Sequence, residues 1–347
     1  LKFTLSFLCA QGQDILIDNE SFKMGSRFCN KVWNASRYIL GNLEGRTLIP
    51  VSDGDLTELD RWIYAALDKA VRDERSALEG YRYNDAASTV YEFFWNYFCD
   101  WYVEATKLSF RGDDEHEKDR AVSVLLNVLE ESLRMLHPFI PFVTEEIYGK
   151  LPLAEIIANR AKAGAQKILP TSDYSGKLVA APFPAPTDDR VNEKVTARFA
   201  VLQDLIRAVR GLRNECGIDP AFKLHIALQI VPGSDAEVCR EKTDMIQLLA
   251  GVAKIDFVDA KPSPAIGTVG TGFEAFILID ESINKEQLLA RFKKDLEKTS
   301  AEAARTEAKL GGKFAEHAPA ELVQAERDKL EEAKRRIAKL QSYIESL

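Results

Sequence analysis

The chain has little of what chemistry at a protein site needs. Its four histidines stand far apart, and its five cysteines, Cys9, Cys29, Cys99, Cys216 and Cys239, include no Cys-x-x-Cys pair. Such spacing supports neither a disulfide framework nor a structural zinc site, and reduced thiols, several of them buried, are expected. No apolar run approaches the roughly 20 residues that cross a bilayer. Residues 1–10 lack the basic start and small-residue cleavage site of a signal peptide, so no membrane contact and a cytoplasmic location are expected. Glycines 267, 270 and 272 do not precede a helix, so a phosphate cradle lacks its context and a strand-joining turn is the expectation. No initiator methionine opens the chain, and LKFTLSFLCAQGQD starts in mid-helical pattern, as a fragment of a longer protein would.

What is present is an ordinary globular composition of 347 residues, 46% hydrophobic and 29% charged, enough for a sizeable core divided among two or three domains. The net charge of −8 would disfavour a polyanion if it were even, because such binding rests on Lys and Arg meeting phosphates. It is uneven: residues 284–347 carry fourteen Lys and Arg against twelve Asp and Glu, and the remainder 32 against 42. A basic tail on an acidic body fits a local polyanion contact, and a solvated charged helix fits as well.

Residues 1–160 read as a helical bundle. Phe28, Val32, Ala35, Ile39 and Leu43 form one apolar stripe, Leu59, Trp62, Ile63, Ala66 and Ala70 a second, and Val122, Leu125, Val128, Leu129, Ser132 and Leu136 a third. Asp53 and Asp55 offer N-cap chemistry before Leu56, while Gly80 and His137-Pro138 offer helix ends. A proline-bearing stretch then reads as a connector (161–188). Residues 189–283 read as a small α/β domain: a helix through Val195, Phe199, Leu202, Leu205, Ile206 and Val209, strands at 223–231, 255–258 and 273–279, and a helix at about 236–249. From 284 to 347 the spacing alternates threes and fours, through Leu289, Phe292, Leu296, Thr299, Ala303, Thr306 and Leu310, then Val323, Leu330, Ala333, Ile337, Leu340, Ile344 and Leu347. Gly311-Gly312 and Pro319 interrupt it. This predicts an antiparallel coiled-coil hairpin with arms of roughly 40 Å. The fold class expected is mainly α, with the bundle, the small α/β domain and the hairpin in that order.

Two motifs carry more than fold. YNDAASTVYEFFWNYFCDWYVE (83–104) places nine aromatic rings on one helix, with Ala87, Val90, Phe94, Phe98 and Trp101 inward and Phe93 and Tyr97 on a second apolar face; HPFIPFVTEEIY follows at 137–148. With LKFTLSFLCAQGQD, FCNKVWNASRYIL (28–40), LIRAVRGLRNECGIDP (205–220) and KLGGKFAEHAPAELVQAERDKL (309–330), the chain resembles the valyl-tRNA synthetases, a family of class I aminoacyl-tRNA synthetases, over nearly its whole length. The resemblance implies a helical anticodon-binding domain, a small α/β domain and a C-terminal coiled-coil arm against the outer corner of tRNA. It also implies tRNA(Val) and the protein's own N-terminal catalytic and editing domains as partners, and a monomer. ATP and Mg would belong to the catalytic domain, and no cofactor is expected in this chain.

Catalytic signatures of that class are missing. There is no His-x-Gly-His, and Lys23-Met24-Gly25-Ser26 lies on an expected helix and lacks a second lysine. The expectation is therefore of no catalytic residue, no metal site and no activity without the rest of the enzyme. On the helix carrying FCNKVWNASRYIL, the core stripe leaves Asn30, Lys31, Asn34, Arg37 and Tyr38 on the outer arc, which offers a ring to stack on an unpaired base, amides to read base edges and cations for phosphate. In the family an aromatic at the position of Tyr38 stacks on an anticodon base; the bland reading has Tyr38 covering a groove between helices. Glu20 stands where an arginine would be expected. Arg207, Arg210 and Arg213 could face phosphate, pair with acids of the missing domain, or be solvated. On the arm, Lys294, Lys298, Arg305, Lys309, Lys329, Arg335, Arg336 and Lys339 alternate with acids, so only some can face RNA. Two rival functions fit less of the chain: a coiled-coil scaffold protein and a free-standing RNA-binding module.

Overall fold

The computed structural model describes residues 1–9, 12, 18–163, 176–281, 283–312, 314 and 317–347. The middle of the expected connector, 164–175, and part of the hairpin turn, 313 and 315–316, lie outside them. The chain divides into two compact units, Leu1–Phe199 and Ala200–Leu347.

The first unit is all helical: α1 (Lys2–Leu8), α2 (Asn19–Leu43), α3 (Glu58–Glu79), α4 (Tyr83–Tyr91), α5 (Glu104–Arg111), α6 (Glu115–Leu136), α7 (Pro141–Tyr148), α8 (Leu153–Lys162) and the start of α9 (Glu193–Cys216). The stripes are where periodicity put them, with Phe28, Val32, Ile39, Trp62, Ile63, Val122, Leu125, Val128 and Leu129 all buried. In the α2 stripe, however, Ser36 lies deeper than Ala35, because its hydroxyl is satisfied by the Val32 carbonyl at 2.8 Å. The start of α3 also differs from expectation. Thr57, not Asp53 or Asp55, is the N-cap: its side chain accepts from the Asp60 amide, and the Asp60 carboxylate accepts from the Thr57 backbone N–H in return. Asp53–Asp55 form their own 3-10 turn, closed by Ser52 and Asp55.

Between α4 and α5 the helix does not keep the expected α winding. Glu92–Val103 is a π-helix, bonded i to i+5. The wider turn lets rings five apart stack, Phe93 on Phe98 at 6.5 Å and 10°, and it buries Phe93, Phe94, Phe98, Cys99, Trp101, Tyr102 and Val103 together. A strict 3.6-residue turn would have sent part of this set to solvent.

Charge inside the bundle was not legible beforehand. α6 is buried over most of its circumference, including Arg120, Glu130, Glu131 and Arg134. Arg190 grips Glu131 with two bonds, 2.9 and 2.7 Å; Arg160 donates to Glu130 at 2.9 Å, and the Tyr148 hydroxyl donates to Glu130 at 3.0 Å. Burial opposes ionisation of Glu131, but Arg190, Arg160 and Arg134 overcome it and hold the carboxyl at about 2. Arg120 and the Tyr102 hydroxyl both donate to Asp60.

The second unit carries a four-stranded sheet in the order β2-β1-β4-β3, formed by β1 (Leu224–Ile230), β2 (Val252–Phe257), β3 (Ala265–Gly270) and β4 (Phe273–Leu278). β1 and β2 are parallel, the other pairs antiparallel. The parallel pair requires a crossover, here α10 (Val238–Glu241) and α11 (Thr243–Ala250), broken at Lys242 where a single helix was expected. The sequence predicts no strand at β3, because Gly267 and Gly270 read as turn residues. A Cβ at either would run into the ring of Phe276 or Phe273, so these glycines make room for aromatics lying across the strand; only Gly272, at φ 77°, serves the turn.

The hairpin consists of α12 (Lys285–Leu310) and α13 (Ala320–Ser346), each about 40 Å long. Phe292, Thr299, Ala303, Val323, Leu330 and Leu340 are buried in the seam as expected. At the root the seam shifts by one position, with Leu288 and Tyr343 buried in place of Leu289 and Ile344. There Lys339 and Tyr343 of α13 also bond Glu215 of α9.

Candidate nucleic-acid interface

α2 starts where Asp18 accepts from the Ser21 amide at 2.8 Å. It lies close to α1 because Gly25 has no side chain to meet the Thr4 hydroxyl; Lys23-Met24-Gly25-Ser26 is thus a packing point, with Lys23 paired to Glu20. With Gly25, Phe28, Val32, Ser36 and Ile39 inward, Asn30, Asn34 and Arg37 form the exposed strip. Arg27, two turns before Asn34, lies on the same strip, although no motif in the sequence marks it.

Lys31 and Tyr38 are not on that strip; both lie on its flank, half buried. Lys31 donates to Asp100 at 2.7 Å and lies over the Trp95 ring at 5.3 Å. Burial opposes its charge, but the Asp100 bond holds the ammonium above the usual lysine range. Tyr38 has the Lys107 ammonium over its ring at 5.7 Å, and burial pushes its phenol up. The five expected residues therefore divide into an outer trio and a flanking pair that also braces the bundle. Nearby, Trp33 is 37% exposed under Lys150, and Phe142, in HPFIPFVTEEIY, is 89% exposed. In the same motif the His137 ring meets the Thr144 hydroxyl at 2.9 Å, with burial lowering its affinity for protons.

Of the three α9 arginines that could face phosphate, Arg207 is exposed, and Arg210 and Arg213 are bonded within the small domain. Arg213 is buried and donates to the carbonyls of Ala250 and Gly251 at 2.8 and 2.7 Å, capping α11, and also to Phe222 at 2.6 Å. Arg210 donates to the Leu249 carbonyl. Their spacing of three serves helix ends within the small domain.

On the arm, Lys298 faces Glu302 at 4.0 Å, while Lys309 and Lys329 converge on Glu326 at 3.1 and 3.0 Å. Lys339 is bound to Glu215 at 2.8 Å. Lys294, Arg305, Arg335 and Arg336 are exposed and make no ion pair among the described residues. At about 100° per residue, Arg291, Lys294, Lys298, Arg305 and Lys309 fall within about 60° of arc on α12, a basic flank beside the apolar seam. Among the described residues no cluster of His, Cys, Asp and Glu is disposed to hold a metal, and no helix is long and apolar enough to cross a membrane. Cys99, Cys216 and Cys239 are buried and form no disulfide among the described residues.

Comparison with known proteins finds two matching regions. Residues 60–228 match the anticodon-binding domain of tRNA ligases, and residues 284–347 match the valyl-tRNA synthetase tRNA-binding arm. The chain is 53% identical to the valine–tRNA ligase of Treponema denticola over all of its own length and 38% of the relative's. It is 47% identical to that of Treponema pallidum over 99% of itself and 37% of the relative, and 34% identical to that of Thermotoga maritima over all of itself and 37% of the relative. It thus spans a little over a third of these relatives. With both domain matches in order and full coverage of the chain, it belongs to the valyl-tRNA synthetase family, of which it carries the anticodon-binding and arm regions.

Proposed function

We propose that this chain is the tRNA-holding part of a valine–tRNA ligase. It grips the anticodon loop of tRNA(Val) through α2 and the outer corner through the arm, so that catalytic and editing domains elsewhere in a longer monomeric, cytoplasmic protein can act on the 3′ end. Attachment of valine with ATP and Mg belongs to those domains. The proposed organisation is a bundle to residue 160, a connector to 188, the small domain to 283 and the arm beyond.

One observation carries the reading. The surfaces assigned to RNA hold polar and cationic side chains with no internal bond among the described residues, Arg27, Asn30, Asn34 and Arg37 on α2 and Lys294, Arg305, Arg335 and Arg336 on the arm, whereas Arg120, Arg134, Arg160, Arg210 and Arg213 are tied to protein groups. Amides on an exposed helix face can read base edges of an open loop, and Tyr38 on the flank can add a stacked ring. Arm cations meet backbone phosphates without regard to sequence, giving affinity that falls with salt.

The test is binding of the chain to valine-accepting tRNA, an anticodon-swapped version and an unrelated tRNA at two salt concentrations. The cognate species should bind tightest, with all three weakening as salt rises. Equal affinity for the three would remove the anticodon role. Tyr38→Ala should reduce cognate binding by about 1 to 3 kcal/mol, the value of a base stacked on a ring. It should also lower the melting temperature modestly, since the ring is half buried.

A further inference from the structure

We propose that Glu215 is a positioning residue that fixes the direction in which the arm leaves its domain. The role rests on reading the arm as a tRNA-binding element. α9 ends at Cys216, and Glu215 in its last turn bonds α13 at the root of the arm. The Glu215 carboxylate accepts a hydrogen bond from the Tyr343 hydroxyl at 2.7 Å and another from the Lys339 ammonium at 2.8 Å, two residues one turn apart on α13. The Tyr343 ring, 4% exposed, packs on Phe292 of α12 at 5.3 Å, so a grip on α13 is passed to α12. Gly217, at φ 66°, follows at once, and the Arg291 guanidinium of α12 occupies the place a Cβ there would take. One turn beyond Tyr343, at the same root end of α13, Lys261 donates to the Ser346 hydroxyl at 2.8 Å.

These contacts add little to the stability of the hairpin. Glu215 and Lys339 are both close to half exposed, where water screens the pair and it adds little to stability. Their effect is on direction, because the arm is a lever: a change of about 10° at its root moves a point ~40 Å away by ~7 Å, beyond the reach of any hydrogen bond. An arm held in one direction before RNA arrives avoids the ordering cost at binding and keeps its cations at high effective concentration once the loop is held. Glu215 lies in the LIRAVRGLRNECGIDP motif, whose arginines at 210 and 213 tie the same helix to the end of α11. The motif thereby joins the small domain to the root of the arm.

The experiment measures spin-label distances between Ala260 in the small domain and Ala304 on α12, both exposed, with labels carried on unnatural residues in the 347-residue chain. The same proteins are titrated with intact valine-accepting tRNA and with its isolated anticodon hairpin. Glu215→Gln and Tyr343→Phe should broaden the distance distribution and weaken intact tRNA about three- to tenfold, with hairpin affinity and melting temperature unchanged. Distributions as narrow as the parent's in both variants would overturn the assignment, as would equal weakening of tRNA and hairpin. If the parent binds intact tRNA no better than the hairpin, the RNA role of the arm falls, and the width of the distribution still decides whether Glu215 sets its direction.

Discussion

α6 and α13 are both long helices rich in charge, and they use it in opposite ways. α6 is buried on almost every side; its Arg120 is engaged with Asp60, Glu130 with Arg160, Tyr148 and Arg134, and Glu131 with Arg190. α13 buries only Val323, Leu330, Leu340 and Tyr343, and its Arg335 and Arg336 project with no ion pair among the described residues. A charge taken out of water must be matched on the spot or it destabilises the fold, whereas a solvated one remains available to a partner. The same residue types therefore report structure in the bundle and recognition on the arm, and burial tells them apart.

The sharpest way to break this contrast is Glu131→Gln. Removing one member of a fully buried pair leaves Arg190 uncompensated and should cost about 3 to 5 kcal/mol in urea denaturation of the bundle; an unchanged midpoint would show that the cluster holds nothing together. The folded carboxyl lies at about 2, below its ordinary 4.5, so its contribution is present above 4.5 and is lost as pH falls toward 2. The acid limb of stability should flatten in the variant.

Glu74 tests the opposite case. It is fully buried with no partner for either oxygen among the described residues, and burial alone lifts its carboxyl well above the usual range. Its folded value exceeds the unfolded 4.5, so the fold is favoured most below pH 4.5 and loses that advantage as pH rises toward the folded value. Glu74→Met should raise stability at pH 8 by about 1 to 3 kcal/mol and do much less at pH 4. A variant less stable than the parent at pH 8 would mean that the carboxylate has a compensating partner.

The smallest effect on folding is expected at the arm. Arg335→Glu with Arg336→Glu should leave thermal stability within about 0.5 kcal/mol, as exposed substitutions do. The double variant should weaken tRNA and lower the salt dependence of binding by about one unit of log–log slope for each phosphate that is no longer neutralised. An unchanged salt slope would place these arginines away from RNA.

Much of the fold was legible because apolar spacing records which face of a helix is buried. The stripes through Phe28 and Val32 and through Val122 and Leu125, and the seam through Phe292, Thr299 and Leu330, could be read directly. The π-helix was not, since its cause is the crowding of rings against neighbours that a local pattern does not contain. β3 was hidden because a glycine that admits a Phe ring looks the same in sequence as one that makes a turn. At the candidate interface, exposure of Asn30, Asn34 and Arg37 followed from the helix period alone. The flanking position of Lys31 and Tyr38 did not, because it depends on where Asp100 and Lys107 lie.

By itself the sequence determined the family, the helical period of the bundle and arm, and which residues of α2 and α12 lie off the apolar stripe; these are local or compositional properties, written in spacing and residue type. Only the tertiary structure decided which charges are free. Arg213 caps a helix, Arg190 holds Glu131 and Arg335 projects into solvent, although all three are the same residue. The reason is that a charge is defined by its surroundings, and those surroundings are supplied by segments distant in the chain.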